Sequence, residues 1–419
     1  MISPPTMSDR PKTRLLEFFD RHGSASAILI ALSVLSAVTG AVWTAYLRQY
    51  DLAVYIMGAH HLFDGTLYSV RLPYQPFLPF TYPPFSALVF TPLTVLPHQA
   101  AKLVWSAVNL GSLIGLLLIS IRVIMPTLDR TKRWMLVGLF LGPAFWLEPV
   151  LLNFHFGQIN LVLGLLILTD LTVDLEVRGH HIPRGLLLGI TAAVKLTPLI
   201  FIAFLLVAKE RRAAMVAGAS FLVLELLSSL ISPTAAYTFW THDAFDAKRV
   251  GTIAYLSNQS LRGALDRITH REVSAVLITA LAMVVLCLGL WLAAICVRES
   301  SRLLGILVTA VTGILVSPIS WCHHLIWLVP ILLWCCFATD RPRHGVPLAV
   351  AAAILYWWAP VWIPSPVTAD LFHEGPKQLL ESTSFFVSMV VFLVGVALML
   401  RGRRRQTPSL SESSEIVIK

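Results

Sequence analysis

From Ser24 to Leu400 the chain alternates between long apolar runs and short clusters of Lys and Arg. Crossing a hydrocarbon core takes about 20 apolar residues. Residues 24–47, 272–297 and 383–400 reach or nearly reach that length. Continuous runs of this kind must satisfy their backbone polar groups internally, which makes them helices. The chain is 56% hydrophobic and 13% charged, with a mean hydropathy of +0.74. A soluble chain of 419 residues cannot hide that much apolar surface. The fold class expected is therefore an all-α polytopic membrane protein, not a string of soluble domains.

The net charge of +9 would suit a nucleic-acid binder, but its distribution argues otherwise. The basic residues sit in short clusters between apolar runs, where they hold loops on the cytoplasmic side. Arg10, Lys12, Arg14 and Arg21 place a cytoplasmic segment at 1–23. The first apolar run reads as an uncleaved span, because no small-residue cleavage site with a polar continuation follows it. Arg130-Lys132-Arg133, Arg178-Arg184, Lys209-Arg211-Arg212, Arg298-Arg302, Arg341-Arg343 and Arg401-Arg403-Arg404-Arg405 should all lie inside. One threading satisfies every cluster, with spans near 24–47, 103–124, 134–150, 158–176, 212–231, 272–297, 302–317, 323–338, 346–363 and 383–400. Together they make one transmembrane domain over 24–400, with outer loops at 48–82, 232–271 and 364–382. Residues 401–419 form a cytoplasmic tail whose polar, serine-rich composition predicts disorder.

Two stretches do not fit single crossings. Residues 83–97 begin and end outside. Residues 185–208 begin and end inside and carry Lys195-Leu196-Thr197-Pro198 at their centre, where proline disfavours a continuous helix. Two short helices meeting at an outward turn are expected there. The five cysteines, Cys287, Cys296, Cys322, Cys335 and Cys336, lack metal-ligand spacing and read as core packing.

The threading gathers polar residues at the outer ends of the spans: Asp51, His60, His61, Tyr82, Glu148, Asn153, His155, Gln158, Asn160, Lys195, Asn258, Gln259, Arg262, His323 and His324. Ionisable groups at such depth are costly and usually functional, so an active cavity open to the outside is expected. Asp51 follows the first span directly. After it Leu52, Tyr55, Ile56, Ala59 and Phe63 recur at helical spacing, predicting an amphipathic helix on the membrane surface. From the residues alone Asp51 is either that helix's cap or a reactive carboxylate. Lys195 is either a phosphate partner or a snorkelling cation. Asn153, His155, Gln158 and Asn160 either bind sugar hydroxyls or cap the next span. Arg262 is either an anion site or a solvated loop charge.

Five spaced motifs bear on the first of these choices by resemblance and leave the others open. Asp51-Leu-Ala-Val-Tyr55 with Phe80-Thr-Tyr-Pro-Pro-Phe85, Asn153-Phe-His-Phe-Gly-Gln-Ile-Asn160, Lys195-Leu-Thr-Pro198, Asn258-Gln-Ser-Leu261 and Ser317-Pro-Ile-Ser-Trp-Cys-His-His324 resemble glycosyltransferase family 87 over roughly 45–340. Members use polyprenyl-phosphate sugars and have the GT-C type fold, here with about ten to twelve transmembrane helices, some short or broken. The resemblance implies inverting transfer of mannose from polyprenyl-phosphate-mannose to a lipid-anchored mannoside. A phosphatidylinositol mannoside extended by an α-1,2 linkage is the nearest likeness within the family. The reaction would take place at the outer face of the plasma membrane.

The resemblance makes Asp51 the catalytic base. His323 and His324 would hold the donor phosphate or orient Asp51, and Lys195 and Arg262 would meet the phosphate. Asn258, Gln259, Tyr82, Asn153, His155 and Gln158 would line the substrate cavity. Some GT-C enzymes hold a metal between paired acids. Asp51 has no such neighbour, and the next loop acid is Asp64, so no metal or other cofactor is expected. An arabinofuranosyltransferase or lipoglycan mannosyltransferase of the same family stays open. So does a transporter or flippase of another class, although no internal repeat supports it. Expected partners are the donor, the glycolipid acceptor and membrane lipid, and not nucleic acid.

Overall fold

The structure is a computed structural model that describes residue 17 and residues 19–342, 344–357 and 376–406. Arg10, Lys12, Arg14, Arg343, the end of the span expected at 346–363, residues 364–375 of the third outer loop and residues 407–419 of the tail lie outside the described residues. The regular structure of the described chain is helical apart from one two-stranded hairpin, Glu176–Val177 paired with His180–His181, and two isolated bridges. Among the described residues four helices are long and apolar enough to cross a membrane: Gly23–Ala45, His98–Ile124, Arg211–Ile231 and Ala275–Glu299. Shorter apolar helices include Asn160–Thr172, Arg302–Val316 and Gly345–Ile354. The chain is an all-α polytopic membrane protein, as the apolar runs require.

The span expected at 134–150 is not one rod. Arg130–Phe145 and Glu148–Phe156 meet at 75°. Leu147 is extended at the corner (φ −62°, ψ 130°), and Pro149 occupies the first turn of the second helix. Proline's missing N–H costs nothing there, so the sequence restarts a helix instead of continuing one. The new direction carries Asn153 and His155 toward the interior. The run at 185–208 breaks as expected, into Leu186–Val194 and Ile200–Val207, with Lys195 extended between them (φ −150°, ψ 133°). A third irregular joint lies at Cys322–Trp327, a tight 3₁₀ stretch leading into Leu328–Phe337. All three joints supply residues to one place. The loop expected at 364–382 is already helical from Pro376, within Pro376–Gln406.

Two apolar cores hold these pieces. The larger joins the spans through residues such as Leu116, Phe145, Phe204, Leu307 and Trp334. The smaller lies under the outer segments and includes Leu52, Tyr55, Phe80, Phe90, Trp105 and Phe239. The apolar face of the helix Tyr50–His60 packs into the second core through Leu52, Tyr55 and Ala59, so it meets protein there and not lipid. Phe63, assigned to its apolar face, is 65% exposed. On the side of the expected cytoplasmic clusters, Glu210 pairs with both Arg302 and Arg184.

Candidate active site

The first span hands directly to the helix bearing Asp51, and that junction is heavily pinned. Gln49 sits in the left-handed region (φ 44°) and is 1% exposed. Its amide donates to the Ser106 hydroxyl and the Phe154 carbonyl, each at 3.1 Å. Gln99 and Lys102 donate to the carbonyls of Ala45 and Leu47 at 3.1 and 2.9 Å, satisfying the span's C-terminal acceptors. Gly157 presses against the same junction from the Asn153 side. It has φ +69°, and a Cβ there would stand 2.7 Å from Leu52 Cβ, so only glycine permits the approach.

Gln49, not Asp51, occupies the N-cap position of Tyr50–His60, and no side chain caps the helix. The capping role open to Asp51 from sequence is therefore absent. Its carboxylate instead accepts a hydrogen bond from Gln158 Nε2 at 2.8 Å. Gln158 Oε1 in turn accepts from the Tyr55 hydroxyl at 2.9 Å, and the Tyr55 oxygen, its one proton so used, accepts from the Tyr82 hydroxyl 3.0 Å away. Asp51 ends in a half-buried position, and burial raises its pKa from 3.8 to about 6, with Gln158 and the Lys195 ammonium pulling the other way.

The network continues through amides to cations. Asn160 Nδ2 lies 3.4 Å from Gln158 Oε1 and 3.1 Å from Asn153 Oδ1. Asn153 and Asn160 both donate to the His323 carbonyl, at 2.8 and 3.2 Å. Lys195 Nζ donates to Asn160 Oδ1 at 2.9 Å and approaches His324 Nε2 at 3.1 Å. An ammonium only donates, so His324 accepts through Nε2 and carries its proton on Nδ1. Lys195 also lies 5.4 Å from the centre of the Tyr82 ring. At 9% exposure and with these partners, it does not reach out to an interface as a snorkelling lysine would. His323 is buried beside Phe156, ring centroids 5.8 Å apart, and neither ring nitrogen has a partner among the described residues. His324 thus meets the polar line with its ring and His323 with its carbonyl.

The remaining predicted residues are placed differently. Asn258 spends its amide on the outer segment Pro318–Ser320: Nδ2 donates to Pro318 O at 3.2 Å and Oδ1 accepts from Ser320 N at 2.8 Å. Gln259 N donates to Ser320 O at 2.7 Å, and its side chain donates to Leu256 O. These two residues fasten the 232–271 loop beside the histidines and have no bond to the Asp51 network among the described residues. Arg262 stands on the helix Leu261–Thr269, half-buried, also without a bond to that network. Its neighbour Arg267 is 1% exposed and supports the loop through the carbonyls of Tyr255 and Asn258. His155 is half-buried on Glu148–Phe156, its ring 4.8 Å from that of Phe156. Among the described residues no three His, Cys, Asp or Glu side chains converge as metal ligands.

Sequence reasoning missed Tyr55, read there as part of an apolar face. In the structure it is fully buried, where a tyrosine hydroxyl needs a hydrogen-bond partner. Arg249 lies in the loop at 232–271. It donates to the carbonyls of Tyr68 and Phe80 at 2.6 and 3.2 Å and pairs with Asp243, which ties the loops at 48–82 and 232–271 together.

The sequence model of Glycosyltransferase family 87 matches residues 80–318. A polyprenol-phosphate-mannose-dependent alpha-(1-2)-phosphatidylinositol mannoside mannosyltransferase of Mycobacterium tuberculosis is 34% identical over 332 residues, covering 74% of this chain and 76% of that protein. A polyprenol-phosphate-mannose-dependent alpha-(1-2)-phosphatidylinositol pentamannoside mannosyltransferase of the same species is 36% identical over 354 residues, covering 80% and 76%. A phosphatidylinositol mannoside mannosyltransferase of Mycolicibacterium smegmatis, similarly named, is 28% identical over 412 residues, covering 89% and 92%. No solved structure matches the chain significantly.

Proposed function

The chain belongs to glycosyltransferase family 87, and on that premise we propose that it transfers mannose from polyprenyl-phosphate-mannose to a phosphatidylinositol mannoside through an α-1,2 linkage. The observation that carries the mechanism is a single hydrogen-bonded line. It has a carboxylate, Asp51, at one end, two amides, Gln158 and Asn160, in the middle, and Lys195 with His324 at the other end. Glycosyl transfer from a phosphate needs those two poles apart. A base must take the proton of the attacking hydroxyl, and cations must meet the departing phosphate.

In this reading Asp51 is the base. The acceptor hydroxyl attacks the anomeric carbon from the face opposite the phosphate, its proton passes to Asp51, and the C–O bond to phosphate breaks. One displacement inverts the anomeric centre. The negative charge released on the phosphate is met by Lys195 and by the ring nitrogens of His323 and His324. Gln158, fixed by Tyr55 and Tyr82, orients the Asp51 carboxylate. Asn153 and Asn160 hold the His323 backbone, and Asn258 and Gln259 hold the segment before it. Arg262 is an outer cation for the donor headgroup. His155 is a candidate for a sugar hydroxyl. No metal is required, since Asp51 is held by an amide and not by a second acid.

A carboxylate that must be ionised to act sets the acid limb of the pH profile. Burial holds Asp51 at about 6. Below that pH the protonated, inactive form predominates, and kcat/KM should fall about tenfold per pH unit. A limb near the ordinary carboxylate value of 3.8 would mean that another group governs activity.

The cavity is placed at the outer face of the plasma membrane, with both termini cytoplasmic, on the strength of the basic clusters. Single cysteines in the 232–271 loop and near His323 should react with an impermeant thiol reagent applied from outside, and cysteines at Arg130 and Arg211 should not. Outside labelling at both basic sites would reverse the orientation.

A further inference from the structure

We propose that the isoprenoid chain of the donor lies in an apolar slot between Leu328–Phe337, Gly345–Trp357 and Pro376–Gln406, reached from the phosphate-binding end of the site past Trp327. The proposal rests on the donor class given above and adds where its lipid goes. A small cavity of about 60 Å³ touches the polar line at Asn160 and His324. A larger one of about 370 Å³ is lined almost wholly by apolar side chains of those three helices. Ile314 and Trp327 are walls of both cavities. An apolar tail leaving a phosphate held at His324 would pass these two side chains to reach from the small cavity into the large one.

The slot's shape suits a chain. Along Pro376–Gln406 its wall runs from Val387 to Met399, roughly 18 Å at the rise of an α-helix. At Gly395 an added Cβ would meet nothing within 4 Å, so the slot has room beside that helix. An isoprenoid has no polar group to satisfy, which matches a lining with Ser388 and Tyr356 as its few polar members.

Two measurements test this. In the first, polyprenyl phosphate bearing a diazirine in its chain is photolysed with the full-length wild-type protein. Adducts should map to 328–335 and 387–399, and unlabelled polyprenyl phosphate, but not phosphatidylcholine, should suppress them. In the second, Gly395→Phe is compared with wild type on a long-chain polyprenyl-phosphate-mannose and on a two-isoprene analogue. The long-chain KM should rise by about tenfold or more, from lost burial of the chain, while the short donor is unaffected. Adducts elsewhere, equal suppression by phosphatidylcholine, or equal effects of Gly395→Phe on both donors, zero included, would overturn the proposal. If Gly395→Phe fails to fold, the wild-type adducts decide. If wild-type protein transfers from neither donor, the donor class itself falls, and the adducts still report whether the slot takes an isoprenoid.

Discussion

Replacing Asp51 with Asn should lower mannose transfer by about 10²–10⁴-fold, the range that a positioned general base supplies. The protein should fold as before, because the asparagine side-chain oxygen can still accept the bond now made by Gln158 Nε2. Affinity for polyprenyl phosphate should be unchanged, since the phosphate is met at the far end of the line. The comparison is clean because the helix Tyr50–His60 is not capped by Asp51, so the substitution removes no cap. Turnover and product-phosphate binding measured on the same purified variant separate a lost base from a damaged cavity. Near-normal turnover would remove Asp51 from the chemistry.

The second large effect is expected at Lys195. Charge developing on a leaving phosphate in a site of low dielectric is stabilised strongly by a fixed cation, and removing one such donor costs about 10²–10³ in rate. Lys195→Ala should therefore lower turnover by that order. It should also weaken polyprenyl phosphate binding by at least about tenfold, as expected for a lost charge-assisted bond. His324→Ala should act in the same direction but less strongly, because its Nε2 accepts from Lys195 and it is Lys195 that carries the charge. Acceptor affinity should change little in either variant. If Lys195 were only a structural partner of Asn160, Lys195→Ala would lower thermal stability, and folded molecules would bind polyprenyl phosphate normally.

Much of this was legible in the chain because membrane insertion writes itself into sequence. Apolar runs of spanning length and the Lys-Leu-Thr-Pro break at 195–198 follow from backbone satisfaction and proline sterics, both local properties. The polar residues that meet at the site were also visible, because an Asp, Lys or His beside apolar sequence is costly enough to stand out. The corner at Trp146–Leu147 was not visible. Its apolar residues continue across the bend, and only Pro149, acceptable in either a kinked or a restarted helix, marks it. The same holds for Asn258 and Gln259. Their residue types suit a sugar site equally well, and only the partner segment 318–320, about sixty residues away, assigns them to holding the backbone. Tyr55 was hidden for a third reason. A tyrosine on an apolar face reads as packing until the position of Gln158, from a different helix joint, supplies its hydrogen-bond partner.

The most direct test of the central claim is a transfer assay with purified wild-type and Asp51→Asn protein. Each is incubated with labelled polyprenyl-phosphate-mannose and a phosphatidylinositol mannoside, in the presence of excess chelator. The account predicts that wild-type protein forms an α-1,2-extended mannoside at its full rate despite the chelator, and that Asp51→Asn forms almost none. Transfer by Asp51→Asn at the wild-type rate, or wild-type transfer that stops with chelator and returns with Mn²⁺ or Mg²⁺, would contradict a single unassisted carboxylate base at Asp51.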